Sequence, residues 1–279
     1  SDYLSDQGVQ VIYKEENAQA DGANVAMIAT TFAEDANLDL ILAITTPIAQ
    51  AMVQQENEVP IIYAAVTDPS GAGLLPADLD PPNEGPSGTN VTGASDLNPN
   101  AEPVHLIQEI MPDVKTIGVL YSSSEPNSKV QLDSYEAEAA QLGIEIVPTA
   151  VTNTNEIVTA VQTMTAVDAI LVPTDNTVVA GIAPVIDFGE KNQIPVYTAD
   201  AETLSQGAVA SRGMSYYTQG REVGAMAYEI LVDKIPAGEV PAVVTQQTQL
   251  YVNLGAAEKM GVTIPQSLLD EAEEVVTES

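Results

Sequence analysis

The sequence has no cysteine and no tryptophan, only two phenylalanines, one histidine and eight lysines and arginines among 279 residues. Each shortage excludes something. Without cysteine there is no disulfide, thiolate metal site or thiol nucleophile. A single histidine, His105, leaves no His-based zinc site. Eight basic residues against 40 acidic ones give a formal net charge of −32. That charge excludes non-specific nucleic-acid binding, which needs clustered Lys and Arg against phosphates. It also argues against docking on an anionic membrane surface. No apolar run approaches the roughly 20 residues of a membrane-spanning helix.

What is present is a globular composition, 45% apolar, long enough for one large domain or two of about 130 residues. The carboxylates are dispersed along the chain. They read as the surface of a salt-tolerant, extracytoplasmic protein rather than as a site for a cationic partner.

The pattern alternates strand and helix. Residues 9–13, 40–44, 61–66, 116–121, 144–147, 169–172, 195–198 and 208–211 read as strands, with another near 249–252. Helices are expected over 24–36, 47–55, 104–111, 129–142, 155–164, 200–205, 216–232 and 255–260. A further helix with Pro184 inside it is expected after residue 177. Thr46 is expected to cap the second helix, with Pro47 at its first position. Residues 68–88 are rich in Pro, Gly, Asp and Ser and read as a long loop. The acidic tail from Asp270 reads as frayed.

Strands apolar on both faces, separated by helices, specify a parallel sheet covered on both sides. The number of units favours two α/β domains over one sheet. Polar clusters fall after the strand ends, at Thr45-Thr46, Thr67-Asp68, Ser122–Ser128, Thr174–Thr177 and Asp200–Glu202. This is the edge at which open α/β sheets bind ligands. Two such edges are expected to make an interdomain cleft.

Other chemistry is sparse. Ser70-Gly71-Ala72-Gly73 lacks the third glycine and the lysine of a phosphate loop and reads as a turn. His105 reads as a surface or packing residue rather than a triad member. Asp78-Leu79-Asp80 lacks the further oxygen ligands of a calcium loop. No metal and no cofactor is expected. Asp175 and Asp200 each follow a strand and precede a helix, so each reads either as a cap or as an acceptor for a ligand ammonium or hydroxyl. The hydroxyls of Thr46, Thr67 and Ser122–Ser124, with nearby helix N-termini, could hold a carboxylate without arginine.

Several segments resemble the substrate-binding proteins of ABC importers, the family that includes tryptophan- and tyrosine-binding members. They are residues 43–50 (AITTPIAQ), 64–69 (AAVTDP), 90–93 (NVTG), 117–121 (IGVLY) with the serines after it, 173–177 (PTDNT), and the stretch from Gly207 through Tyr216-Tyr217 to Gly220. The resemblance implies the type I periplasmic-binding-protein fold: two doubly wound parallel-sheet lobes joined by a three-crossover hinge. It places lobe one at residues 1–96 plus about 214–240, and lobe two at 97–213 plus about 241–279. It implies ligand contacts at Thr45, Thr46, Thr67 and Asp68 in lobe one. In lobe two it implies Ser122, Ser123, Ser124, Asn127, Asp175, Asn176 and Asp200. Family members open with a strand, an aromatic or polar binding loop and a helix, and Ser1–Gly8 looks like the tail of that helix, so the first strand and the rest of the first helix of lobe one are expected to lie upstream of this sequence.

The expected function follows from that resemblance. It is a non-enzymatic extracytoplasmic receptor, a monomer anchored by lipid, that captures a small polar ligand and passes it to an ABC permease. An amino acid is favoured, aromatic before others. A sugar or nucleoside, an α/β enzyme, or an adhesin or receptor ectodomain is the alternative. An amino acid's carboxylate would sit near Thr46 and Thr67, and its ammonium on Asp200 in preference to Asp175.

Overall fold

The computed structural model describes residues 2–55, 58–79, 82–98 and 101–277. In chain order its elements are α1 (Asp2–Asp6), α2 (Gly22–Ala33), β1 (Ile41–Ile44), α3 (Thr46–Val53), β2 (Ile61–Ala64), β3 (Val91–Ser95), α4 (Glu102–Ile110), β4 (Thr116–Ser122), α5 (Pro126–Leu142), β5 (Glu145–Val151), α6 (Ile157–Val161), β6 (Ala169–Val172), α7 (Asn176–Ala180), α8 (Ala183–Asn192), β7 (Val196–Thr198), β8 (Ala210–Met214), α9 (Tyr216–Leu231), β9 (Val243–Val244), β10 (Thr248–Asn253), α10 (Leu254–Lys259), α11 (Gln266–Glu271) and β11 (Glu274–Val276). The chain divides into two units. Unit 1 is Ser1–Leu97 with Ser215–Gln247, and unit 2 is Asn98–Met214 with Thr248–Ser279. The last crossing falls after Gln247 rather than near residue 240, because β9 pairs with β3 and stays in unit 1.

Unit 1 is a parallel sheet in the order β1-β2-β3-β9. Ile41, Ala43, Ile61 and Tyr63 face one core with Ala29 of α2 and Met52 of α3. Ile62 and Ala94 face another with Val223, Met226 and Ile230 of α9. The two faces are therefore covered by different helices, as parallel strands require. At Gly93 β3 leaves no room for a side chain: a Cβ there would lie 2.2 Å from the Tyr63 carbonyl oxygen. β1 is less enclosed than its composition suggests, since Leu42 and Ile44 are exposed.

Unit 2 has seven strands in the order β11-β10-β8-β7-β6-β4-β5, parallel except where β10 runs against β8. Its core gathers Ile117, Val119, Ile170, Leu171, Val172 and Val196 from the sheet with Leu106 and Ile107 of α4 and Leu132 of α5. Gly143 ends α5 in the left-handed conformation, φ 72°. Arg212 on β8 is buried and anchors three carboxylates, Glu102, Glu109 and Glu271, at 3.5, 3.2 and 3.0 Å. It thereby ties α4 and α11 to the sheet.

Four expectations about elements change. Residues 9–13 pair with no strand among the described residues; Val9 and Val11 pack beside α9 while Ile12 is fully exposed. The tail does not fray: Glu274–Val276 pairs with Tyr251–Asn253. Thr45, not Thr46, is the N-cap of α3, so Pro47 is one position further in. The helix expected around Pro184 is two helices, α7 and α8, with Pro184 in the first turn of the second, where a missing N–H costs nothing.

Candidate functional site

The strand-end edge of unit 1 is built on two residues with positive φ. Thr45 follows β1 at φ 77°, ψ 153°, and Ala65 follows β2 at φ 52°. A β-branched residue with that φ is a conformational outlier, a strain of order 1–3 kcal/mol that persists only where its surroundings enforce it. Here they do. The Thr45 N–H donates to the Ala64 carbonyl at 3.0 Å. The Ala65 N–H donates to Oε1 of Gln219, on α9, at 2.9 Å. Thr46 and Thr67 are buried at this edge. No side chain caps α3 among the described residues, so the positive end of its dipole is left for a ligand or solvent. Asp68 is engaged locally: Oδ1 accepts the Gly71 N–H at 2.9 Å, and its main-chain carbonyl accepts from Ala72.

The corresponding edge of unit 2 brings Ser122, Asn127, Asp175 and Asn176 into one network. Asp175 is buried and caps α7 through the Val178 N–H at 2.8 Å. Its other oxygen accepts from the Ser122 N–H at 2.5 Å and the Ser128 hydroxyl at 2.6 Å. Burial, with the neighbouring Glu125 charge, raises its pKa to about 6, against the opposing pull of those hydrogen bonds. Glu125, which sequence reasoning missed, is also buried. It accepts from the Asn176 N–H (3.1 Å) and Nδ2 (2.7 Å), from the Thr177 N–H (2.9 Å) and hydroxyl (2.7 Å), and from Asn127 Nδ2 (3.2 Å). The protein's own carboxylate thus occupies the start of α7, so a ligand carboxylate has no place there. The one available signal was Glu125 itself, an acidic residue directly before Pro126 at a helix start. Gln131 braces the same corner, donating to the Thr174 carbonyl at 3.1 Å and accepting its N–H at 2.9 Å. Asn127 donates to the Thr174 carbonyl at 2.9 Å, while its buried Oδ1 has no partner among the described residues.

Ser123 and Ser124 are exposed; Ser124 joins the network only through the Ser122 hydroxyl at 2.9 Å. Asp200 stands apart from it. One oxygen caps a 3₁₀ turn through the Glu202 N–H at 3.0 Å, and the other has no partner among the described residues. Its main-chain carbonyl accepts from the hydroxyls of Thr198 and Thr203 at 2.9 and 2.6 Å, which fixes the residue. Burial raises its pKa.

No nucleophile–base pair with an orienting third group is assembled at either edge, and no group of three or more His, Asp or Glu is arranged for a metal among the described residues. Asp80 of the Asp78-Leu79-Asp80 triplet lies outside those residues. His105 pairs with Glu138 at 3.2 Å on the unit 2 helices.

The family described as ABC transporter substrate binding protein matches residues 1–276. A tyrosine-binding protein of Clostridioides difficile is 35% identical over 239 residues, 85% of this chain and 67% of the relative. The crystal structure of an ABC domain in complex with L-Trp from Streptococcus pneumoniae is 36% identical with a TM-score of 0.89, covering 99% of this chain and 93% of that one. A ligand-free, open substrate-binding protein with adhesive properties from Clostridium difficile is 32% identical with a TM-score of 0.72, covering 99% and 92%.

Proposed function

The chain belongs to the ABC transporter substrate-binding protein family, and on that premise we propose that it binds a free α-amino acid with an aromatic side chain. One observation carries the reading: the two strand-end edges offer opposite charge. Unit 1 offers an uncapped helix N-terminus with the hydroxyls of Thr46 and Thr67, and its acidic neighbour Asp68 is spent in a turn. Unit 2 offers the second carboxylate oxygen of Asp200, which has no partner among the described residues. An α-amino acid needs one anion site and one cation site, and the main-chain groups of unit 1 suit its carboxylate without arginine. The aromatic preference rests on the L-Trp complex and the tyrosine-binding relative.

In this reading Ser122, Asn127 and Asn176 line the unit 2 edge, with Ser123 and Ser124 at its rim. Thr45 shapes the unit 1 wall. The protein works outside the cytoplasmic membrane as a lipid-anchored monomer and delivers its ligand to an ABC permease. It carries out no reaction of its own. Calorimetric titration with L-tryptophan, L-tyrosine, D-glucose and adenosine tests the proposal. Saturable binding of an aromatic amino acid is expected. Binding of glucose or adenosine alone would overturn it.

A further inference from the structure

Two buried polar side chains in unit 1, Gln219 and Ser95, hold one loop, and a third, Thr245, links them. Gln219 accepts the Ala65 N–H through Oε1 at 2.9 Å, across 154 residues of sequence. Its Nε2 lies 3.4 Å from the Thr245 hydroxyl, which donates to Glu222 at 2.6 Å. The Thr245 N–H donates to the Ser95 carbonyl at 3.0 Å, and the Ser95 hydroxyl donates to the Thr67 carbonyl at 2.8 Å. Gln219, Thr245 and Ser95 are almost wholly buried, at 2%, 0% and 0% exposure. The loop 65–67 is therefore held at both ends: its first N–H by Gln219, its last carbonyl by Ser95. Ala65 has a positive φ and would relax toward an ordinary conformation if released.

The placement of these three side chains in the chain is the telling feature. Ser95 lies just before Leu97, Gln219 just after Ser215, and Thr245 just before Gln247. Each adjoins one of the three points at which the chain passes between its two units. We infer that Gln219, Thr245 and Ser95 form a clamp that positions loop 65–67 for ligand and couples it to the three crossing segments, with Gln219 as the principal positioning residue. The inference rests on the proposed use of Thr67 at the ligand site. Coupling of this kind is reciprocal, so ligand bound at the loop restrains the crossing segments as much as they restrain the loop.

The test compares Gln219→Met, which keeps the volume but removes the acceptor, with Gln219→Glu, which keeps the acceptor for Ala65 and loses the donor to Thr245. Thr245→Val probes the clamp without touching Ala65. Two readouts are taken: hydrogen exchange of the 65–68 segment without ligand, normalised to 117–120 in the unit 2 core, and calorimetric affinity for L-tryptophan and L-tyrosine. Gln219→Met is expected to speed exchange at 65–68 and to weaken binding, each by about tenfold or more. Gln219→Glu should stay closer to the parent in exchange, and Thr245→Val should fall between them. Parental exchange at 65–68 in Gln219→Met would overturn the clamp, as would rescue by Met and not by Glu, which is the pattern of a packing role. If the parent binds neither amino acid, the ligand reading fails, and exchange alone still decides whether the clamp exists.

Discussion

The Ser122 N–H and the Asp175 carboxylate lie 2.5 Å apart, so the end of β4 and the loop after β6 are locked together by a buried acid that also caps α7. Asp175→Asn puts an NH2 where one of three donors now points. It is expected to destabilise the protein by about 1–3 kcal/mol, the range for a buried hydrogen-bonding group left unsatisfied. Urea unfolding measures this; an unchanged midpoint would show that the corner repacks freely.

The same acid makes stability depend on pH in a definite direction. Its pKa rises from 3.8 when unfolded to about 6 when folded. Between those values the native state holds a proton that the unfolded state has lost. The contribution is fully present below pH 3.8 and is lost as pH rises through 6, amounting to about 3 kcal/mol at most. Protein-wide charge repulsion acts in the same direction, so the comparison is between the parent and Asp175→Asn. The parent should show the steeper fall in unfolding free energy from pH 4.5 to 7. Parallel curves would remove Asp175 as the cause.

Asp200→Asn keeps the cap to Glu202 through its amide oxygen but loses the charge. Melting should hardly change, while affinity for the amino acid should drop by at least about tenfold. Because burial raises the Asp200 pKa, parental affinity should also weaken as the carboxyl protonates at low pH. Equal affinity in parent and variant, measured by calorimetry, would reassign the ammonium site.

Thr45→Gly relieves a side chain from φ 77°. The variant is expected to melt higher, by an amount corresponding to about 1 kcal/mol, and to bind its ligand more weakly because the loop is no longer held in one conformation. A lower melting temperature would mean that Thr45 makes contacts worth more than the strain.

At a net charge of −32, self-repulsion opposes the folded state and salt screens it. The melting temperature should rise from low to molar sodium chloride. A flat response would show that the acidic surface is already neutral in effect.

Sequence alone determined the alternating α/β architecture and much of its detail. Ala169–Val172 is a strand with the limits its apolar run shows, and Gly143 ends its helix. These features are short-range: periodicity, caps and breakers act within a turn or two of the residue that bears them. The strand-end clusters that bear the candidate site were legible for the same reason, since each immediately follows an apolar strand. The acidic tail shows where that reasoning stops. Glu274–Val276 lies within it and still finds a partner in β10. Strand formation is completed by a partner, and partners are chosen by the whole chain. The tertiary structure likewise distinguishes the two aspartates, surrounding the Asp175 carboxylate with three donors and giving that of Asp200 one among the described residues. It placed Glu125 at the start of α7 and Gln219 against Ala65. No local pattern encodes either contact, because each joins segments that only folding brings within hydrogen-bond reach.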